Sequence, residues 1–242
     1  MSDLAINLLA SVIAGVAVWL FQRLIRLRRA ARLRAFFGFV PGANVLLVVG
    51  KHASSTQALS VNKADMSAIV ELAVLAKSGG TEPTVVLHGE TLDGVGEQVE
   101  FCVGGPDSNA RTAAHLRWLL PGVSHTPYDE DPEGLTLRVG PATYRRERDS
   151  YEYVLVARVA VPGGRHPLFV ICGQTAATNH AAARYLARKR ETLLDQHGSQ
   201  ANFCLVLRIV GRGAYGNSFV EPVADVTADA FTQSAPDQGA GV

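Results

Sequence analysis

The segments FCVGGPDSNARTAAHL (residues 101–116) and FVICGQTAATNHAAARYL (residues 169–186) share one pattern. Each is an apolar run followed by a glycine turn, an asparagine and an alanine-rich stretch. An apolar run of this length predicts a buried strand, glycine lets the chain turn sharply, and alanine favours a helix. The two segments therefore predict strand–turn–helix units, from which α/β folds with parallel sheets are built.

The chain between residues 41 and 228 extends this alternation. The continuous apolar run ANVLLVVG (residues 43–50) predicts a strand that is buried on both faces. Strands of this kind are typical of parallel sheets. Residues 122–150 are polar and rich in turn residues, and the strands around them are expected to be antiparallel. The predicted fold is α/β, with a Rossmann-like, mostly parallel sheet and an antiparallel insertion.

Polar residues predict where the helices begin. Asp65 is expected to cap a helix that ends before two consecutive glycines, and Asp107 or Ser108 is expected to start the next one. Thr175 or Thr178 is expected to start a long helix that ends near residue 198.

The N-terminal segment from Leu4 to Phe21 contains 18 residues and no charge. As a helix it would be about 27 Å long, close to the thickness of a bilayer core. A helix lying in the membrane plane is disfavoured, because the apolar residues surround the whole helix. Six arginines follow it, at Arg23, Arg26, Arg28, Arg29, Arg32 and Arg34. Because cationic flanks stay in the cytoplasm, a single-pass protein of the cell membrane with a cytoplasmic C-terminal domain is predicted.

The sequence thus divides into four parts. Residues 1–22 are the predicted transmembrane anchor, and residues 23–40 are an arginine-rich juxtamembrane helix expected to touch anionic lipid headgroups. Residues 41–228 form the predicted Rossmann-like domain, and residues 229–242 have the composition of a disordered tail.

Charge and cysteine content limit the function classes. Residues 1–40 hold six arginines and one aspartate, which leaves 17 basic and 21 acidic residues in the remainder of the chain. A mildly acidic domain of this kind argues against nucleic acid as a partner. Cys102, Cys172 and Cys204 all lie in apolar runs, so they are expected to be buried free thiols of a protein in a reducing compartment.

The two glycine turns are the candidate ligand site, because a helix N-terminus after a tight turn offers free N–H groups to an anion. The candidate residues are Gly104, Gly105, Ser108, Asn109, Gly173, Gln174, Thr175, Thr178 and Asn179. The alternative is purely structural, since caps and turns select the same residue types. Neither turn matches the dinucleotide or P-loop glycine pattern, and no cofactor is predicted.

The motif GGPDSN (residues 104–109), together with Gly173, Asn179 and the three alanines after it, carries a family resemblance. It resembles the Rossmann-like C-terminal segment of archaeal surface-layer proteins, and bacterial membrane-anchored proteins of uncharacterised function with the same GGPxxN turn. The resemblance spans roughly residues 98–190. It implies a Rossmann-like fold and no particular activity.

Basic residues of the loops are expected to be solvated. Lys51 follows the first strand, where it would meet a phosphate or simply face water, and Arg145, Arg146 and Arg148 alternate with acidic residues in an exposed turn.

The sequence presents no complete catalytic set. The seven histidines are His52, His88, His115, His125, His166, His180 and His197. None has the helical spacing of a zinc site, and no metal is predicted. Cys172 precedes a glycine and a helix start, where a thiol pKa can fall, but no partner base is identified.

Three functions therefore stay open. The leading one is a membrane-tethered cytoplasmic sensor or binding module for a small anionic ligand, with nucleotide derivatives as one option. The second is a hydrolase or transferase of nucleotides or sugars that uses Cys172, His180 or Asn179. The third is a structural or interaction scaffold, and self-association into a homo-oligomer fits each of the three.

Overall fold

A computed structural model describes residues 2–57, 59–90, 94–131, 135–148, 150–211, 216 and 219–232. The helices of these residues are α1 (Ser2–Phe37), α2 (Lys63–Gly79), α3 (Ala110–Leu119), α4 (Ala176–His197) and α5 (Thr227–Ala230). The strands are β1 (Asn44–Val49), β2 (Glu82–Leu87), β3 (Val99–Val103), β4 (Val123–His125), β5 (Leu137–Val139), β6 (Ala142–Tyr144), β7 (Tyr151–Ala160), β8 (Pro167–Gly173), β9 (Phe203–Val210) and β10 (Val220–Asp225).

Seven strands form the main sheet in the order β10-β9-β7-β8-β3-β1-β2. Strands β2, β1, β3 and β8 pair in parallel, and β7 enters antiparallel between β8 and β9. Because β10 is antiparallel to β9, five of the seven strands run in one direction. Strands β4, β5 and β6 form a separate antiparallel sheet. The predicted α/β class, the mostly parallel sheet and the antiparallel strands are confirmed.

Side chains alternate between two cores, one on each face of the main sheet. On β3, Phe101 points into the core beneath α1, α2 and α4, and Cys102 points to the opposite face. The second large core lies under α3, the small sheet and α5, and Leu116, Leu137 and Val206 belong to it. A strand that is apolar at every position is therefore covered on both sides, as the run at residues 43–50 predicts.

Helix α1 is continuous, and its two ends have different environments. Phe36 and Phe37 are fully buried, and the Phe36 ring stacks on Phe203 with ring centroids 6.0 Å apart. The last turn of the predicted juxtamembrane segment thus belongs to the core of the domain. Toward the N-terminus the apolar side chains of α1 are exposed, and the segment Asn7–Phe37, which contains an 18-residue window with a mean hydropathy of 1.9, is long and apolar enough to cross a membrane.

Two arginines tie the end of α1 to the domain. The Arg32 guanidinium lies 2.6 Å from the carboxylate of Asp195 near the end of α4. Arg34 Nε donates a 3.0 Å hydrogen bond to the carbonyl oxygen of Gly79 at the end of α2. Among the six arginines predicted to face lipid headgroups, these two contact protein instead.

Two of the predicted helix starts are wrong. Helix α2 is capped by Asn62, whose Oδ1 accepts the Ala64 N–H at 2.9 Å, and Asp65 lies inside the first turn. Helix α3 is capped by Asn109, because residues 105–108 are already used in a turn closed on the carbonyl oxygen of Gly105. Several residues that can cap a helix follow one another in the sequence. The hydrogen bonds of the preceding turn determine which of them becomes the N-cap.

The start of α4 follows the prediction. Thr175 is the N-cap, and it exchanges reciprocal hydrogen bonds with Thr178, which form a capping box. The helix ends before Gly198, as expected from the glycine at that position.

Candidate functional site

A cleft of about 360 Å³ lies at the carboxyl ends of β1, β3 and β8. Both glycine turns reach it, and they lie so close that a methyl group on Gly105 would be 3.8 Å from the carbonyl oxygen of Gly173. Parallel strands place their carboxyl ends on one edge of a sheet, so ligand sites of open α/β sheets form there. The candidate residues that line the cleft are Gly105, Ser108, Gly173, Gln174, Thr175 and Asn179.

The other three candidates, Gly104, Asn109 and Thr178, do not line the cleft and instead stabilise the two turns. Asn109 is fully buried, its Oδ1 accepts two N–H groups of α3, and its Nδ2 donates to the carbonyl oxygen of Val103 at 3.1 Å. The buried Thr178 hydroxyl donates to the carbonyl oxygen of Thr175 at 2.7 Å. Gly104 adopts a φ of 117°, which favours glycine at the turn. These contacts give Asn109 and Thr178 structural roles.

Asn109 and Asn179 align in sequence but occupy different positions in their helices. Asn109 is the N-cap of α3, whereas α4 is capped four residues before Asn179, by Thr175. Asn179 Oδ1 accepts the Gly173 N–H at 2.7 Å, and its Nδ2 donates to Asp65 at 2.8 Å. Each asparagine fastens a helix to the end of the preceding strand, but from a different turn of that helix.

The side-chain amide of Gln174 is already hydrogen-bonded to the protein backbone at both its oxygen and its nitrogen. Its Oε1 accepts the Tyr153 N–H at 2.7 Å, and its Nε2 donates to the carbonyl oxygen of Tyr144 at 2.9 Å. The groups available to a ligand beside Gly173 are therefore backbone N–H groups in the first turn of α4, near Thr175 and Ala176. The first N–H groups of a helix have no partner within the helix.

Basic side chains outside the predicted candidate set also line the cleft, among them Lys51, Arg146 and Arg148, which the sequence predicts in solvated loops. The others are His52 and His125. The expectation of an exposed turn is wrong for Arg146, whose side chain is only 17% exposed and whose Nε lies 3.0 Å from Glu152 Oε1. The other oxygen of Glu152 accepts the Thr175 hydroxyl at 2.7 Å. Glu152 thereby holds a guanidinium at the N-terminus of α4.

Asp65 is the buried acidic residue of the cleft, and it is 4% exposed. Burial raises the pKa of its carboxyl group, although the hydrogen bond from Asn179 and the nearby His52 act in the opposite direction. A second carboxylate, Asp107, lies nearer the solvent, and its Oδ2 accepts the Tyr128 N–H at 2.8 Å. A buried carboxyl with a shifted pKa in a cleft is a frequent feature of functional sites.

The three cysteines are buried and free, as the sequence predicts. Burial, with a contribution from Asp107, raises the pKa of Cys172 to about 12. Cys172 is therefore a protonated thiol at neutral pH and is poorly suited to act as a nucleophile. His180 is partly exposed on α4, 4.0 Å from Glu71, and does not line the cleft.

A separate polar cluster lies on β3 and α3. Glu100, at 2% exposure, accepts hydrogen bonds from Arg111 Nε and Nη2 at 2.7 Å each and lies 2.8 Å from His115 Nε2. With the thiol of Cys102, 3.1 Å away, the carboxylate and imidazole have the composition of a metal site, and their ligand atoms lie within 4.8 Å of one another. The guanidinium of Arg111, however, already supplies the positive charge that a metal ion would bring.

The chain matches no described protein family, and no curated protein is significantly similar to it. The geometry and charge of the cleft therefore carry the functional assignment. Its features are two glycine turns, one helix N-terminus, several cationic side chains and one buried carboxyl.

Proposed function

We propose that the protein is a membrane-tethered binding module or sensor whose cleft takes a small anionic ligand, of the phosphate-containing kind that nucleotides represent. The observation that carries this proposal is the meeting of the α4 N-terminus, Arg146 and Lys51 in one cleft. A helix N-terminus has a partial charge of about +0.5, and its N–H groups point toward the ligand. A guanidinium beside it adds donors with the geometry of phosphate oxygens.

Lys51 is positioned by the backbone of the opposite turn. Its N–H donates a 2.8 Å hydrogen bond to the carbonyl oxygen of Ser108, which fixes the end of β1 against the Gly105 turn. The ammonium group has no ion-pair partner among the described residues, so it is available to a ligand in the cleft. The anion site is thus formed from three strand ends and does not depend on the net charge of the domain.

The proposal places α1 in the cell membrane and the domain in the cytoplasm, because the arginines follow the apolar segment. Helix α1 joins the domain at the amino ends of the strands, where Gly38 packs against Pro167, the first residue of β8. The cleft lies at the carboxyl ends. In this arrangement the cleft opens away from the side on which the membrane lies, toward soluble ligands.

Ligand binding can be tested on the full chain in detergent micelles. Isothermal titration with inorganic phosphate, a panel of nucleotides and a panel of sugar phosphates is expected to identify at least one ligand. Lys51→Ala should weaken its binding about tenfold, equivalent to about 1.4 kcal/mol. Lys63→Ala is the matched control, since Lys63 is exposed on α2 outside the cleft. The proposal fails if no compound binds, or if the two lysine variants behave alike.

The membrane assignment has an independent test. Expressed in bacteria, the full chain should sediment with membranes and resist extraction by carbonate, and a chain that begins at residue 23 should not. A reporter fused to the C-terminus should be inaccessible to protease added to intact spheroplasts and cleaved after lysis. Cleavage in intact spheroplasts would reverse the predicted orientation.

A further inference from the structure

We infer that Asp65 forms a second subsite of the cleft that accepts hydrogen bonds from hydroxyl groups, so that the ligand is the phosphate ester of a polyol, such as a sugar phosphate or a mononucleotide. This inference depends on the proposed anion site and adds to it the chemistry of the rest of the ligand.

The first step concerns the unused oxygen of Asp65. Its Oδ1 accepts the hydrogen bond from Asn179, and no described residue donates to Oδ2. Asp65 is only 4% exposed and lines the cleft, so with the described residues excluded as donors a group within the cleft can donate to this oxygen. Oδ2 is not among the buried side-chain oxygens that lack a hydrogen-bond partner, so it reaches the cleft, where a donor of a ligand can replace water.

The second step asks why this residue is an aspartate. Support of Asn179 requires one acceptor oxygen, which an asparagine at position 65 would provide without bringing a charge into the interior. A place in the first turn of α2 favours an acidic residue, but this effect amounts to a few tenths of a kcal/mol up to about 1 kcal/mol and does not require burial. A ligand that donates hydrogen bonds to both the charge and the free oxygen accounts for the carboxylate directly.

The third step selects neutral donors over a cationic ligand group. His52 lies near enough to Asp65 to lower its pKa, and Lys51 lines the same cleft. An ammonium group bound at Asp65 would meet these basic neighbours at close range, whereas hydroxyl groups donate to a carboxylate without added positive charge. The acidic subsite is therefore suited to hydroxyls.

The fourth step concerns size. The cleft holds about 360 Å³, near the lower end of the roughly 300–1,000 Å³ range of small-molecule sites. A cleft of this size suits one phosphorylated sugar or one mononucleotide better than a dinucleotide. The phosphate would bind at the N-terminus of α4, and the hydroxyls would face α2.

The experiment compares two phosphate esters that share the anion and differ in hydroxyl groups. Ribose 5-phosphate and propyl phosphate are titrated into the full chain in micelles, for the unmodified protein, Asp65→Asn and Asp107→Asn. The unmodified protein should prefer ribose 5-phosphate by about tenfold or more, the factor supplied by one charge-assisted hydrogen bond. Asp65→Asn should lose this preference and bind propyl phosphate at least as tightly as the unmodified protein, because asparagine keeps the acceptor for Asn179 and removes a negative charge from the cleft.

Asp107→Asn is the matched control and should keep the preference, since the Asp107 side chain is 36% exposed and its free oxygen is solvated by water. Binding of propyl phosphate by Asp65→Asn also shows that the variant is folded. Equal affinity of the unmodified protein for the two esters, a preference that survives in Asp65→Asn, or loss of propyl phosphate binding in that variant would each overturn the inference and leave the anion site standing. If neither ester nor any other anion binds the unmodified protein, the anion site itself is refuted.

Discussion

Replacing Glu100 by glutamine tests the energetics of the buried cluster on β3 and α3. Burial alone would raise the pKa of Glu100, but the hydrogen bonds from Arg111 and His115 outweigh it and lower the pKa from 4.5 to about 2. A lowered carboxyl pKa stabilises the fold at neutral pH, and the shift corresponds to about 3 kcal/mol at 1.36 kcal/mol per unit. Glu100→Gln should remove that amount at pH 7, because a neutral amide is a weaker partner for the guanidinium of Arg111.

The pH dependence provides the sharper measurement. The contribution of Glu100 is complete above the unfolded pKa and is lost as the pH falls toward the folded one, so the difference between the two proteins should shrink to about 1 kcal/mol by pH 3. Urea unfolding of the full chain in micelles, followed by circular dichroism, gives both values. Glu71→Gln is the control, since Glu71 is 42% exposed and should change the free energy of unfolding by less than about 0.5 kcal/mol. A difference below about 1 kcal/mol at pH 7, or one that does not vary between pH 7 and pH 3, would refute the reasoning.

Four further substitutions can be followed by the same unfolding assay. Gly173→Ala should destabilise the protein by about 1–3 kcal/mol, because its methyl group would overlap the Thr178 hydroxyl, and Gly105→Ala should leave stability nearly unchanged, because its methyl group meets ordinary contact distances. Equal effects of the two alanines would contradict the geometry of the turns. Asn109→Ala should cost about 2 kcal/mol through the lost cap, and a cost near zero would show that its hydrogen bonds are replaced by water. Phe36→Ala should cost about 3–5 kcal/mol if the end of α1 belongs to the core, and an unchanged urea midpoint would show that α1 and the domain are energetically independent.

The sequence predicts the local features of this fold well and the distant contacts poorly. Strand β1, the corner at Gly173 and the Thr175 cap are encoded within a few residues, because apolar runs, glycine and capping hydroxyls act locally. The position of Arg146 depends on Glu152 in β7 and on the cap of α4, which are brought together only by the tertiary fold. A mixed-charge loop sequence gives no sign of this contact, and for that reason the cationic side of the cleft was not predicted.

The cluster around Glu100 shows the same limit. Glu100 on a central strand and a basic residue on the next helix suit an ion pair. Strand alternation, however, does not show that Glu100 faces α3, because the strand order of the sheet determines which face α3 covers.

Asp65 is a related case. Its position before an apolar helical pattern predicts that it caps α2, yet Asn62 is the N-cap. Asp65 instead lines the cleft and accepts a hydrogen bond from Asn179, which the sequence pattern does not indicate.

The dipoles of α2 and α4 account for the charges found at the two ends of the domain. At their C-termini, α2 and α4 meet two arginines of α1: Arg34 donates a hydrogen bond to the carbonyl oxygen of Gly79, the last residue of α2, and Arg32 pairs with Asp195 near the end of α4. Cations are favoured at that end of a helix. At its N-terminus α4 opens into the cleft, where the same dipole favours an anion. One pair of parallel helices therefore holds the basic end of α1 at the amino ends of the strands, and the N-terminus of α4 favours negative charge at their carboxyl ends. The cleft and the point where α1 joins the domain consequently lie at opposite ends of the sheet.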